Sequence, residues 1–533
     1  MSHLVHEFIL NAARRTPDAE ALVYGARRLD YATLAAEVGQ VAQALLALDL
    51  ARGERVAVYL EKRIENVTAM FGAAAAGGVF VPVNPLLKPE QVAFIAADCD
   101  VRVLVTSPER LRQLAPVLAQ CPALHTVIVT EGAGELPASA GHARVIGWNT
   151  ALADGAEHER KPHRAIDGDM AAILYTSGST GKPKGVVLSH RNMVAGAESV
   201  ASYLDNTPGD RILAVLPLSF DYGLSQLTTA FHVGATAVLL NHLLPRDVLK
   251  AVVAERITGL AAVPPLWIQL APLDWPADCT LRYLTNSGGA MTRATLDALR
   301  RAIPNATPFL MYGLTEAFRS TYLPPAELDR RPDSIGKAIP NAEVLVLRPD
   351  GTECDPGEHG ELVHRGAFVT RGYWKDQART EEKFRRLPAA LMGPLGEEIA
   401  VWSGDIVKRD AEGFLYFIGR KDDLIKVSGY RISPTEVEEA VLATGLAREV
   451  AVIGIPHPTL GAEIVAFLVP RHEEVTEAQV VKACKTQVPT YMVPARVILL
   501  DTLPRNGNGK FDRKQLATLL QERAEADLAT AAA

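Results

Sequence analysis

Residues 175–185 read YTSGSTGKPKG. Three glycines, four Ser/Thr hydroxyls and two lysines fall within eleven positions. The apolar run MAAILYT (170–176) leads in and GVVLSHRNM (185–193) leads out. A glycine-rich turn between two strand-like runs is a hairpin-type or phosphate-type loop. Glycine permits positive φ and lets a ligand approach the backbone closely. Thr176, Ser177, Ser179 and Thr180 add hydroxyl donors, and Lys182 and Lys184 add positive charge. Exposed N–H groups beside a lysine suit a phosphate. A plain surface loop needs only one or two such residues, so the phosphate reading stands ahead of it.

The loop is not a Walker motif. That pattern places four residues between its first glycine and Gly-Lys, followed by Ser or Thr. Here Gly178 and Gly181-Lys182 are two residues apart and Pro183 follows. A P-loop NTPase is therefore not expected, and the loop belongs to another ATP chemistry.

The chain has 533 residues, enough for two or more domains, and 48% of them are apolar. A net charge of −7 argues against nucleic acid as the main partner. No run of about eighteen apolar residues occurs, so no spanning helix is expected. The N-terminus, MSHLVHEFILNAARRTPDAE, reads as an amphipathic helix rather than a secretory signal. Five cysteines (Cys99, Cys121, Cys279, Cys354, Cys484) lie scattered without metal-ligand spacing, which fits reduced thiols in a cytoplasm.

Residues 32–105 alternate helical and strand patterns, and buried-strand runs recur at ALHTVIV, ILAVLPL, ATAVLL and GLAAVPP. This predicts an α/β fold with parallel sheets in layers. After about residue 335, AEVLVLRPDG, GELVHRG and GFLYFIGR predict a small antiparallel β subdomain. A new α+β unit begins at the charged turn 421–423, giving an N-terminal domain 1–420 and a smaller C-terminal domain 421–533. The Ala-rich tail from about Glu522 is expected to fray.

Five segments fall in a telling order: YTSGSTGKPKG, YGLTEA (312–317), SGD (403–405), GRKDDLIKVSGYRISPTEVEE (419–439) and NGNGKFDRK (506–514). Together they resemble the AMP-forming adenylating superfamily of acyl-CoA synthetases, carrier-protein adenylation domains and luciferases. PLSFDYGLSQL, GLTEAFRSTYLPP and VWSGD further resemble bacterial exosortase-associated AMP-forming acyl-CoA ligases. The resemblance implies an ATP- and Mg2+-dependent ligase. A carboxylate attacks the α-phosphate to give acyl-AMP and pyrophosphate. A thiol, of CoA or of a carrier protein's phosphopantetheine, then takes the acyl group. Catalysis of the first half needs positioned positive charge and donors where charge develops.

By the same resemblance, Thr176, Ser177, Ser179 and Thr180 hold the β- and γ-phosphates, with Lys184 ranked after them because a solvated lysine is its plain alternative. Glu316 is the magnesium ligand, suited as a carboxylate to a hard cation; Thr315 meets the α-phosphate, and Tyr312 and Gly313 lie near adenine. A helix N-terminus is the other reading of Thr-Glu. Ser287, Gly288, Gly289 and Ala290 form the adenine-side turn. Asp405 accepts hydrogen bonds from the ribose hydroxyls, and Arg420 contacts ribose or phosphate, with a surface salt bridge as its alternative. Trp402 and Ser403 replace the basic residue and Thr usual before Gly-Asp. Lys510 is the adenylation lysine on a Gly-Lys turn, Asp422 the hinge, and Gly429 lines the thiol channel.

The pocket implied by the resemblance comprises Asp221, Tyr222, Ser225, Ala262, Thr285, Ser287, Met311, Arg319 and Ser320. These are mostly small or polar, a poor lining for a long fatty chain. Asp221 follows Phe220, as in amino-acid adenylation domains where an aspartate meets the substrate ammonium. Two other readings remain: Asp221 caps a helix starting at Tyr222, or it pairs with Arg319. A small polar acid, first an amino acid, is the expected substrate. The alternatives are a plain acyl-CoA synthetase, luciferase-type oxidation, and a non-catalytic nucleotide-binding protein, which would need neither Lys510 nor a hinge.

Overall fold

The computed structural model describes residues 2–130, 136–158, 160–176, 183–392, 396–421, 425–427, 430–457, 461–488, 490–506 and 509–531. The chain divides into two compact units. One contains Met1–Val344 and His364–Val401, the other Leu345–Val363 and Trp402–Ala533.

The first unit carries two large sheets. In one, the strands run in the order Lys184–Ser189, Met170–Thr176, Val79–Pro82, Arg55–Tyr59, Val101–Thr106, Thr126–Val129, Ala143–Gly147 and Ser139–Ala140. Its interior pairs are parallel, and its two edges are antiparallel hairpins. In the other, Ser334–Ala338, Phe318–Leu323, Thr307–Leu314, Tyr283–Asn286, Gly259–Ala262, Arg211–Ala214, Thr236–Leu239, Glu20–Tyr24 and Arg27–Asp30 follow one another. Here too a parallel interior ends in antiparallel pairs. The interior strands are apolar runs because both faces are covered, as parallel sheets require.

Helices Tyr31–Ala47, Ile64–Ala76 and Asp221–Val233 supply much of the cover. Phe71 and Phe231 meet edge to face at 5.5 Å within the largest core. Gly223, in the first turn of the last helix, must be glycine: a Cβ there would overlap the carbonyl oxygen of Pro217. That close approach seats Asp221 and Tyr222 against the strand end that precedes them.

The second unit holds the short β segments expected after residue 335 and a distinct α+β body. Its sheet orders Ala447–His457, Gly461–Pro470 and Arg496–Leu499. Alternate residues face opposite ways. Val450 and Val452 join a core with Val437, Val441 and Val480 from two helices, whereas Ala451 and Ile453 join Leu516 and Leu520 from the last helix. The fold is thus α/β, with layered sheets, a small β portion and a smaller α+β body. The last helix spans Arg513–Ala531.

Candidate active site

Two hairpins build the first part of the site. The strands Met170–Thr176 and Lys184–Ser189 pair in antiparallel register, with Thr176 opposite Lys184 at the loop mouth. The second hairpin, Thr307–Leu314 with Phe318–Leu323, holds Thr315 and Glu316 at its turn. Lys184 Nζ lies 2.8 Å from Glu316 Oε1. A third chain segment closes the cluster. Arg371–Trp374 runs beside the Lys184 strand through Arg371 N–H to Val187 O and Trp374 N–H to Gly185 O. This places the Tyr373 hydroxyl where it donates to Glu316 Oε1 at 2.6 Å and accepts from Lys184 Nζ at 2.8 Å. The ammonium also sits 4.3 Å from the centre of the Tyr373 ring.

Burial pushes the Glu316 carboxyl up, but the Lys184 ammonium and the Tyr373 hydroxyl more than offset it, and the net direction is down. Glu316 is therefore a carboxylate at neutral pH. Tyr373 moves the other way: burial and the neighbouring Glu316 raise its pKa. Lys184 is thus a fixed, part-buried member of the cluster and not the solvated side chain that its position after the hydroxyls suggested.

Mg2+ is tested by the donors present. Glu316 offers one carboxylate, and no group of three or more His, Cys, Asp or Glu able to hold a metal occurs among the described residues. Thr176 Oγ1, on the residue opposite Lys184, is buried without a hydrogen-bond partner. A single carboxylate and an unused hydroxyl fit an ion that completes its shell with water and phosphate oxygens.

The second hairpin is sharply bent. Its register shifts between Tyr312 and Gly313, and Phe318 adopts a left-handed φ of 57°, a genuine outlier for an aromatic residue. Gly313 makes this possible: a Cβ there would overlap Phe318 O and lie 2.6 Å from Arg319 Cα. Bulges re-aim side chains next to sites, and here the bend carries Arg319 inward, to 2% exposure. Its Nη2 donates to Ser225 Oγ. Its guanidinium lies 5.1 Å from the Tyr222 ring centre and 4.6 Å from that of Phe318. Tyr222 in turn bonds Thr285 at 2.6 Å, and Met311 Sδ accepts from Tyr203 at 2.9 Å. Ser287 and Ser320 are buried, and the Ala262 carbonyl accepts from Trp267. The expected pocket residues are therefore carried by one helix and four neighbouring strands.

Asp221 is half-buried and is itself the first residue of the helix Asp221–Val233, so the cap is Phe220 and the helix starts one residue before the Tyr222 of the capping alternative. A carboxylate in a first turn is favoured by the helix dipole. Among the described residues no ion pair joins it to Arg319, which donates to Ser225 and lies beside the Tyr203 hydroxyl.

The turn 287–290, expected from sequence to face adenine, is held by the Asn286 amide, which donates to Gly289 O at 2.9 Å. Tyr312 stacks on His364 at 6.2 Å. His364 is buried with no hydrogen bond to either ring nitrogen, and burial lowers its pKa to about 3, so it is neutral.

In the second unit, Asp405 and Arg420 face each other across an antiparallel pair and form an ion pair at 3.0 Å. Ser403 donates to Leu362 O and accepts from the Asp405 N–H at 3.0 Å. The serine that replaces the usual threonine thus holds the aspartate's backbone. Lys510 is exposed on a tight turn, where its N–H donates to Asn506 Oδ1 and its carbonyl accepts from Asn506 N–H. Ser177, Ser179, Thr180, Asp422 and Gly429 lie outside the described residues.

Sequence reasoning missed Tyr373, His364 and the bend at Phe318. The RGYW segment at 371–374 carried the only signal for the first. A lysine-held carboxylate at the mouth of a hairpin, three residues from a buried arginine in a polar pocket, fits an adenylate-forming ligase.

The chain belongs to the AMP-binding enzyme family, which matches residues 9–374, with the AMP-binding enzyme C-terminal domain matching 436–510. It is 32% identical to an L-proline–[L-prolyl-carrier protein] ligase of Pseudomonas fluorescens, over 96% of this chain and 99% of that protein. It is 30% identical to the long-chain-fatty-acid–CoA ligase FadD13 of Mycobacterium tuberculosis, over 93% of each. A linear gramicidin synthase of Brevibacillus parabrevis is 31% identical over 96% of this chain, which spans only 10% of that protein's length. Among solved structures, ATP-bound MatB from Rhodopseudomonas palustris superposes with a TM-score of 0.82 at 27% identity, covering 97% of this chain and 98% of that one. By class the chain is an AMP-forming acid–thiol ligase.

Proposed function

We propose that the chain adenylates a small polar carboxylate, first of all an amino acid, and passes the acyl group to the thiol of CoA or of a carrier protein's phosphopantetheine. The observation that carries this reading is the cluster of Lys184, Glu316 and Tyr373 at the mouth of the donor-rich hairpin. In the first half-reaction a carboxylate oxygen of the substrate bonds to the α-phosphorus of ATP, and the bond to pyrophosphate breaks. In the second, the thiol sulfur bonds to the acyl carbon, AMP leaves with the bonding pair, and the thiol proton passes to solvent.

Thr176 and the loop hydroxyls at 177, 179 and 180 take the terminal phosphates, with Lys184 balancing their charge. Glu316 would hold Mg2+, which neutralises phosphate oxygens when bound. Tyr312, Gly313 and the turn 287–290 face adenine, Thr315 the α-phosphate, and Asp405 with Arg420 the ribose. Lys510 bridges the substrate carboxylate and the α-phosphate. The working boundary lies between domains 1–420 and 421–533, with Asp422 as the hinge and Gly429 along the thiol path. No helix among the described residues is long and apolar enough to cross a membrane, and the five cysteines carry no disulfide. We place the protein in the cytoplasm on these grounds.

The amino-acid reading rests on Asp221 at the pocket's helix end, and the L-prolyl-carrier protein ligase among the relatives supports it. FadD13 among the relatives favours the other reading, a non-amino acid. Carboxylate-dependent pyrophosphate exchange across amino acids, their deaminated analogues and fatty acids decides between them. Exchange led by amino acids, and weakened in Asp221→Ala by about 2–5 kcal/mol, is the expected result. Exchange led by fatty acids would restore the acyl-CoA reading.

A further inference from the structure

Arg319 points to the far end of the substrate. It is fully buried, and its side chain is a guanidinium cation. Its surroundings do not balance that charge. Nη2 donates to the neutral Ser225 hydroxyl, two aromatic rings flank the plane, and Nε is buried without a partner. Among the described residues no carboxylate pairs with it. The Tyr203 and Tyr222 hydroxyls beside it remain protonated, since burial raises both, Tyr203 to about 12. A buried charge persists only when paired, so the folded pocket is short of one anion. The backbone is strained, at Phe318, to put the guanidinium there, which is the mark of a binding site rather than of filler.

The position also acts as a ruler. Arg319 stands three residues after Glu316 on the same hairpin, so their Cα atoms are at most about 11 Å apart. With the activated carboxyl at Thr315 and Glu316, a group meeting Arg319 belongs to a short molecule. Ser225, Tyr222 and Thr285 line the way with hydroxyls.

Resting on the adenylating function above, we propose that Arg319 is a specificity-determining residue that binds a second carboxylate of the acyl substrate through its planar fork. The substrate is then a short acid with a carboxylate at each end, with or without an α-ammonium group.

The test compares acids with their isosteric amides: glutamate with glutamine, aspartate with asparagine, and glutarate with glutaramate. In pyrophosphate exchange the acid should lead its amide by at least tenfold in kcat/KM, and Arg319→Met should bring that acid-to-amide ratio to about one. Amides used as well as acids by the wild type would overturn the proposal. A second readout needs neither catalysis nor a variant. Glutarate should raise the melting temperature of the wild-type protein with ATP present, and glutaramate should not; equal shifts would also overturn it. The two readings fail separately. A lead of glutarate over glutamate removes the amino-acid reading and leaves Arg319 in place, whereas a lead of glutamine over glutamate does the reverse.

Discussion

Lys184 and Glu316, 132 residues apart in sequence, meet at 2.8 Å, and the Tyr373 hydroxyl contacts both. One charge pair therefore ties the phosphate hairpin to the turn that presents Glu316. The pair is partly buried, so neither charge is solvated well enough to spare the other.

Removing the lysine should be read through pH. The Glu316 pKa is lowered in the folded protein, so its ionisation stabilises the fold above the ordinary carboxylate range, and that stability is lost as pH falls through the lowered value. In Lys184→Met burial is opposed only by the Tyr373 hydroxyl and the backbone, and the Glu316 pKa should rise. The acid limb of the activity profile should move toward neutrality, with about 3 kcal/mol lost from stability at pH 7. An unmoved acid limb would show that Glu316 does not govern it.

The bend at Phe318 predicts an intolerance far from any charge. Gly313→Ala sets a methyl group against Phe318 O and 2.6 Å from Arg319 Cα. A cost of about 2–3 kcal/mol is expected from such overpacking, visible in the denaturant midpoint, together with loss of exchange as Arg319 shifts. A variant with wild-type midpoint and activity would mean that the hairpin relaxes freely.

Lys510→Ala should abolish adenylation and spare thioester formation from supplied acyl-AMP. A single positioned donor to a transition state is worth on the order of a hundredfold to a thousandfold. Measured separately, equal losses in the two half-reactions would remove Lys510 from the role.

Asp422→Pro should slow thioester formation more than adenylation, because proline fixes φ near −65° and a hinge must change its dihedrals. Single-turnover rates of each half-reaction distinguish the effects. A wild-type thioester rate would place the hinge elsewhere.

The sequence was most legible where local chemistry is dense. The donor-rich loop 175–185 reads as a hairpin turn because its flanks are apolar and its centre is glycine, and the strands pair as that pattern requires. Parallel strands announced themselves as unbroken apolar runs. What stayed hidden depends on long-range placement. Nothing local in RGYW says that Tyr373 will reach Glu316, since backbone bonds to Val187 and Gly185 bring it there. Phe318 is the residue type least expected at positive φ, so the bend that buries Arg319 has no local signature. Asp221 heads its helix, one residue before the start at Tyr222 that the capping alternative assumed, because Phe220 is the last extended residue.

The central claim is that the substrate's own carboxylate oxygen attacks the α-phosphorus. Substrate labelled with 18O in the activated carboxylate, turned over with ATP and thiol, tests it most directly. Mass spectrometry of the products should find one 18O atom in the AMP for each thioester formed, with none in pyrophosphate. Unlabelled AMP, or ADP and labelled inorganic phosphate in its place, would contradict an acyl-adenylate pathway.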